Sequence, residues 1–135
     1  MTLKKGYKAL LEEANAEVVA VSPQEAAELI DDTDTVIVDL RDPRELEREG
    51  MVPGAFHATR GMLEFWIDPE SPYHKPVFAS GKEFVFYCGG GWRSALAAKT
   101  AQDMGLTRVK HIEGGFGAWK KAGLPVVPYE PKHKS

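Results

Sequence analysis

The chain has one cysteine, Cys88, in 135 residues. A single thiol excludes an internal disulfide, an iron–sulfur cage and a thiolate zinc site, and it suits a reducing compartment, so a cytoplasmic location is expected. Long apolar runs are also missing. None approaches the roughly 20 residues a membrane span needs, and Lys4 and Lys5 lead into Gly6, Tyr7 and Lys8 rather than into the apolar core of a secretory signal. Charge of one sign is not in excess: 17 basic and 20 acidic side chains leave a formal net charge of -3, which offers no general attraction to nucleic acid or to an anionic membrane. His57, His74 and His111 lack metal-ligand spacing and His133 lies near the end of the chain, so no metal is expected. There is no internal repeat. With 43% hydrophobic and 27% charged residues the composition is that of an ordinary globular chain, and the length suits one domain rather than two.

Short β-branched runs alternate with amphipathic stretches, the pattern of β-α units around a mainly parallel sheet. Val18 to Val21 is a short strand candidate. Ser22, Pro23 and Glu25 then supply a capping serine, a proline at the first helical position and the glutamate of a capping box, which predicts a helix from Pro23 to about Asp31. Thr35 to Asp39 is the clearest central strand, Asp42 to Glu49 a short charged helix stopped by Gly50, and Ala55 to His57 a further short strand. Residues 58–82 carry the apolar cluster Met62, Leu63, Phe65, Trp66 and Ile67, then Pro69, Pro72 and Pro76; a short helix and a long loop are expected, placed to roof the site described next. Glu83 to Tyr87 is a strong strand, Trp92 to Met104 a helix ending at Gly105, Val109 to Ile112 a last strand and Gly115 to Ala122 a last helix. At the N-terminus, Leu3, Tyr7, Leu10, Leu11 and Ala14 share one helical face. The expected division is therefore a helical extension over 1–17, a domain over 18–128 and a flexible basic tail over 129–135.

Cys88 falls at the carboxyl end of a strand, where open α/β sheets bind ligands. Alone, a cysteine there reads as a small buried hydrophobe. Gly89, Gly90 and Gly91 reverse that reading: their ordering costs entropy that a purely structural cysteine has no use for, and they let successive N–H groups converge as an anion-binding nest at a helix start. A thiolate ringed by such donors is stabilised against its thiol and becomes nucleophilic. Trp92 would wall the pocket or face a partner, Arg93 adds a fixed positive charge, and Ser94 would cap the helix or donate to an anion.

At this point the chain resembles the rhodanese-like (sulfurtransferase) domain family. Val38 to Glu45 looks like the family's Asp-x-Arg motif, Val52-Pro53-Gly54-Ala55 like its Ile-Pro-Gly-Ala turn, Cys88 to Ser94 like its Cys-x-x-Gly-x-Arg-Ser loop, and Gly114 to Trp119 like its Gly-Gly-x-x-x-Trp segment. The resemblance runs from about Val18 to Pro128. One departure is visible: Met51 follows Gly50 where the family usually has histidine. The resemblance implies a three-layer α/β fold with a mainly parallel five-stranded sheet flanked by helices. It makes Cys88 the sulfur-accepting nucleophile and the backbone of Gly89 to Ser94 its cradle.

The expected reaction is sulfur transfer. Cys88 takes the sulfane sulfur of a donor such as thiosulfate and passes it from a persulfide to an external thiol, cyanide or protein acceptor; no metal or organic cofactor is required. With no second cysteine, the persulfide has no resolving thiol in its own chain. Two other readings stand beside this one. Cysteine-dependent phosphatases and some arsenate reductases use Cys-x5-Arg, whereas four residues separate Cys88 from Arg93 here. A persulfide carrier or sensing module would move sulfur only within a complex with a partner. Asp39 and Arg41, at the end of the central strand, are expected to pair with each other or with Glu45 as a supporting ion pair rather than to react. Glu64, Asp68 and Glu70 read as a solvated face, and Trp119 as core under the Gly114–Gly115 turn.

Overall fold

The computed structural model describes residues 2–130. In chain order the elements are α1 (Tyr7–Glu17), β1 (Val19–Val21), α2 (Pro23–Ala27), β2 (Thr35–Asp39), α3 (Pro43–Glu49), β3 (Phe56–His57), α4 (Leu63–Ile67), β4 (Glu83–Tyr87), α5 (Trp92–Asp103), β5 (Val109–Ile112) and α6 (Gly115–Lys121), with single 3-10 turns at Arg60–Met62 and Pro76–Ala79. The five strands form one sheet in the order β1-β5-β4-β2-β3, with every neighbouring pair parallel. All carboxyl ends therefore lie along one edge, and β4, which leads into Cys88, sits at the centre.

Alternation along β4 divides the core. Phe84 and Phe86 point into a cluster with Val38, Leu63, Ile67, Phe78, Ala97, Ala98 and Ala101, beneath α4 and α5. Val85 and Tyr87 point the other way, into Val21, Ala26, Ile37, Ile112, Phe116 and Trp119, beneath α2 and α6. A strand buried on both faces needs this continuous apolar sequence. Trp119 is fully buried as expected, and its indole N–H donates to the Pro125 carbonyl at 2.7 Å.

The expected capping box forms, and α3 has a second one. Ser22 Oγ accepts from Glu25 N at 3.0 Å while Glu25 Oε1 accepts from Ser22 N at 2.8 Å, and Asp42 and Glu45 make the equivalent pair at the start of α3. α2 nevertheless ends at Ala27 instead of continuing to Asp31. Leu29, Ile30 and Asp32 bond three residues back, to Ala26, Ala27 and Leu29, so the chain tightens into successive turns that leave the α-helix.

One further expectation is corrected. The segment 58–82 starts at the carboxyl end of β2, where Ala58 N and Arg60 N donate to Asp39 O and Leu40 O, but none of its residues lines the opening at Cys88 described below. Leu63, Ile67 and Phe78 are buried against α5 and β4, and Phe78 stacks on Phe84 with centroids 5.3 Å apart, so burial of this apolar cluster draws the segment over one sheet face and toward the amino ends of the strands. The chain after Pro125 stays paired with the domain. Met51 and Val127 exchange two backbone hydrogen bonds, 2.8 and 2.9 Å, which gives the position that departs from the family pattern a role in pairing. Of the tail expected over 129–135, residues 131–135 lie outside the described residues. Tyr129 is half-buried, edge-on to His57 with centroids 6.0 Å apart.

Candidate active site

The backbone builds the loop around Cys88 from two sides. On one side, Gly91 takes φ +103 as the N-cap of α5, a left-handed conformation that costs glycine nothing and turns the chain back over the sulfur. Its N–H donates to Cys88 Sγ at 3.2 Å and that of Ser94 at 3.3 Å, so two amides converge on the sulfur at the start of α5. On the other side, the first turn of α6 binds the loop's carbonyls. Phe116 N donates to Cys88 O at 2.7 Å and Gly117 N to Gly89 O at 3.0 Å. Helix N-termini leave such N–H groups unpaired, and here they hold the carbonyls away from the sulfur and the amides toward it. Gly115 is what allows the approach: its φ is +62, and a Cβ there would stand 2.5 Å from Cys88 O.

Cys88 is 1% exposed, and its side of the loop opens through a shallow concavity of about 340 Å³ lined by Cys88, Gly90, Trp92 and Arg93. Trp92 is 61% exposed and packs on Tyr7 of α1, centroids 5.0 Å apart, so it both walls this opening and faces solvent. Gly90 borders open space. A second concavity of about 270 Å³, between Phe78, Phe84, Gly105 and Arg108, lies at the amino ends of the strands, away from Cys88.

Arg93 lines the opening at Cys88, but its charge is shared with a carboxylate. Its guanidinium grips Glu45 of α3 with two bonds, Nη1 to Oε1 at 2.9 Å and Nη2 to Oε2 at 3.1 Å. This grip, with a smaller contribution from the Asp42 amide, holds the Glu45 carboxyl down at about 2 against the opposing cost of burial. Glu45 thus pairs across the loop and not with Asp39 or Arg41. Ser94 does not cap α5 with its side chain; its hydroxyl lies 3.7 Å from Cys88 Sγ, 3.3 Å from Gly91 O and 2.9 Å from His111 Nδ1. The sequence offers His111 only as a metal-ligand candidate without the spacing for it; its place beneath the loop follows from β5 lying beside β4.

Asp39 and Arg41 do pair with each other, fully buried, through Nε to Oδ1 at 3.0 Å and Nη2 to Oδ2 at 2.8 Å. Arg41 Nη2 also donates to Gly50 O at 2.7 Å, and the guanidinium lies 4.2 Å over the ring of Phe116. The Tyr87 hydroxyl donates to Asp39 Oδ2 and accepts from Val52 N at 3.1 Å. Burial first, and Asp39 next, push the Tyr87 phenol well above its ordinary value. Neither residue touches Cys88. The pair ties β2, β4, α3's end and the start of α6 into one unit, and reaches the loop through Tyr87, which precedes Cys88, and through Phe116. Among the described residues no three His, Cys, Asp or Glu side chains gather as a metal site would require.

Comparison with known proteins agrees with this architecture. The family model for the rhodanese-like domain matches residues 22–122. The chain belongs to the rhodanese-like domain family. Within it, the chain is 31% identical over 102 residues to a sulfurtransferase of Allochromatium vinosum, spanning 76% of this chain and 87% of that one. It is 32% identical over 106 residues to the thiosulfate sulfurtransferase GlpE of Glaesserella parasuis, spanning 78% and 90%. Among solved structures, the polysulfide-sulfur transferase homodimer of Wolinella succinogenes matches with TM-score 0.70 and 32% identity over 95% of this chain and 91% of that one. A Rhodopseudomonas palustris protein of unknown function, described as a possible tyrosine phosphatase, matches with TM-score 0.91 and 60% identity over 94% and 98%. The rhodanese-like match begins after α1, which lies outside it and packs on α5 through Ala14 and Tyr7. No helix among the described residues is long and apolar enough to cross a membrane.

Proposed function

We propose that this rhodanese-like chain is a sulfurtransferase working through a Cys88 persulfide. The thiolate attacks the outer sulfur of thiosulfate, the S–S bond of the donor breaks, its electron pair leaves with sulfite, and a terminal sulfur anion remains on Cys88. An external nucleophile, whether cyanide, a small thiol or a protein thiol, then takes that sulfur and the thiolate returns. Polysulfide fits the same scheme as a donor. The observation that carries this reading is the convergence of the Gly91 and Ser94 amides on one sulfur atom at 3.2 and 3.3 Å, fixed dipoles that need no reorganisation as charge moves on that sulfur. Relatives named for sulfur transfer support it.

The likeness to a possible tyrosine phosphatase favours a second reading, phosphoryl transfer from a phosphate ester to Cys88. Two features weigh against it. The loop from Cys88 to Arg93 is one residue shorter than Cys-x5-Arg, so it has fewer amides to surround three phosphoryl oxygens. The arginine fork that would grip those oxygens is spent on Glu45. Mass spectrometry of the full chain after thiosulfate treatment decides the matter. A gain of one sulfur atom, reversed by cyanide and absent in Cys88→Ser, is expected. No gain, together with hydrolysis of a chromogenic phosphate ester that Cys88→Ser abolishes, would transfer the assignment to phosphatase. Turnover of thiosulfate and cyanide by the chain alone separates a free enzyme from a carrier that acts only with a partner.

A further inference from the structure

His111 is the one buried titratable side chain near Cys88 to which the scheme above gives no task. It comes from the third residue of β5, is 4% exposed, and sets its Nδ1 2.9 Å from Ser94 Oγ, which in turn lies 3.7 Å from Cys88 Sγ. Its Nε2 is buried without a hydrogen-bond partner. An imidazole left half-satisfied costs free energy, and the bond it keeps is the one that leads to the sulfur. A serine hydroxyl has a single proton and rotates to suit its neighbours. Left alone, Ser94 would turn that proton to the Gly91 carbonyl, 3.3 Å away, and present only lone pairs to the sulfur.

We infer that His111 is a positioning residue for Cys88, setting the direction of the Ser94 hydroxyl so that it supplies a third donor to the sulfur anion. With its proton on Nδ1, the neutral ring donates to Ser94 Oγ. Ser94 then directs its own proton at the Cys88 thiolate or the persulfide, beside the Gly91 and Ser94 amides. With its proton on Nε2, the ring instead accepts from Ser94, whose lone pair faces a Cys88 thiol. Neither tautomer places a charge on the ring, and the thiol proton leaves to water. Burial pushes the His111 pKa down against a smaller opposing effect of Glu113, which keeps the imidazole neutral at pH 7. Around the ring, α1 presents Asn15, β1 Ala20, α5 Ser94 and the β5–α6 turn Glu113, so Glu113 is the charged group facing it.

This inference rests on Cys88 being a nucleophile but not on its substrate, so its test uses iodoacetamide, which requires no sulfur donor. The full chain and its variants are alkylated at a series of pH values, with folding followed by thermal denaturation. His111→Asn keeps an amide N–H near the place of Nδ1, whereas His111→Leu removes it. The expected loss of Cys88 alkylation rate at pH 7 is about five- to tenfold for His111→Leu and for Ser94→Ala, the scale of the net contribution of one ordinary hydrogen bond. Combining the two should give no further loss, and His111→Asn should stay within about twofold of the parent, since one donor replaces another. A folded His111→Leu with an unchanged rate and pH profile would overturn the inference, as would His111→Asn losing as much as His111→Leu. If His111→Leu does not fold, His111→Gln, whose amide reaches the place of Nε2 rather than Nδ1, takes its place under the same criterion.

Discussion

Replacing Gly115 by alanine should damage the Cys88 loop without altering any residue in it. The added Cβ would stand 2.5 Å from the Cys88 carbonyl oxygen and 2.7 and 2.8 Å from the oxygen and carbon of the Gly89 carbonyl. Those atoms are backbone, held by Phe116 N and Gly117 N, so no flexible side chain can swing away. The residue also sits at φ +62, where a non-glycine residue costs about 1–2 kcal/mol. Forced displacement of packed neighbours adds about 1–3 kcal/mol. Alanine's smaller unfolded-state entropy returns about 0.4–1 kcal/mol, leaving a net loss of about 2–4 kcal/mol. For 135 residues the unfolding entropy is about 0.28 kcal/mol per kelvin, so the melting temperature should fall by about 7–14 °C. Calorimetry measures this directly, and sulfur uptake from thiosulfate should fall with it because the carbonyls cannot stay where they are. Gly90→Ala is the matched control: its Cβ meets nothing within 4 Å and its backbone is not left-handed. It should shift the melting temperature by no more than about 3 °C. A Gly115→Ala chain that melts with the parent and takes up sulfur at the parental rate would refute the account of how α6 shapes the loop.

Two further outcomes follow from the buried and half-buried ion pairs. Glu45→Gln should cost about 1–2 kcal/mol at pH 7. The displacement of the carboxyl from 4.5 to about 2 sets a ceiling near 3 kcal/mol, and solvent at the 43%-exposed Arg93 screens part of it. Because the folded value is depressed, the native state holds fewer protons than the unfolded one between those limits. The difference between parent and variant in urea unfolding should therefore be full above about pH 5 and vanish as pH falls toward 2. A gap that widens on acidification would contradict the pairing. Arg41→Met should cost about 3–5 kcal/mol, since it leaves the fully buried Asp39 carboxylate without its cation, and adding Asp39→Asn to it should recover part of that loss. Denaturant titration of the single and double variants checks both statements, and a double variant no better than Arg41→Met would show that the cost is not electrostatic.

Much of the element order was readable because its causes are local. Ser22, Pro23 and Glu25, or Asp42, Pro43 and Glu45, satisfy helix N–H groups within three residues of themselves, and a capping box forms wherever the chain lies. Cys88 before three glycines and a helix was equally local, so the nucleophile and its loop could be named from their neighbours in sequence. Of those glycines only Gly91 adopts the left-handed conformation, which depends on how the loop closes over the sulfur. The end of α2 is not legible in the sequence, because the choice between bonds three and four residues back depends on what the turn packs against. The course of residues 58–82 is not legible for a related reason: an apolar cluster among prolines says that something will be buried, but not on which sheet face or at which end.

Strand composition, the helix starts and the candidate nucleophile are thus legible along the chain, since hydrogen bonds and backbone preferences act over a few residues. The partners are not. Glu45 lies 48 residues from Arg93, His111 lies 17 from Ser94, and Gly115 lies 27 positions beyond Cys88. Each meets its partner only because burying apolar residues on both sheet faces fixes the order β1-β5-β4-β2-β3, with β4 at the centre. That order brings α3, β5 and α6 around one sulfur atom. It also decides which cation is spent, which hydroxyl is directed at the sulfur, and which carbonyls are held away from it.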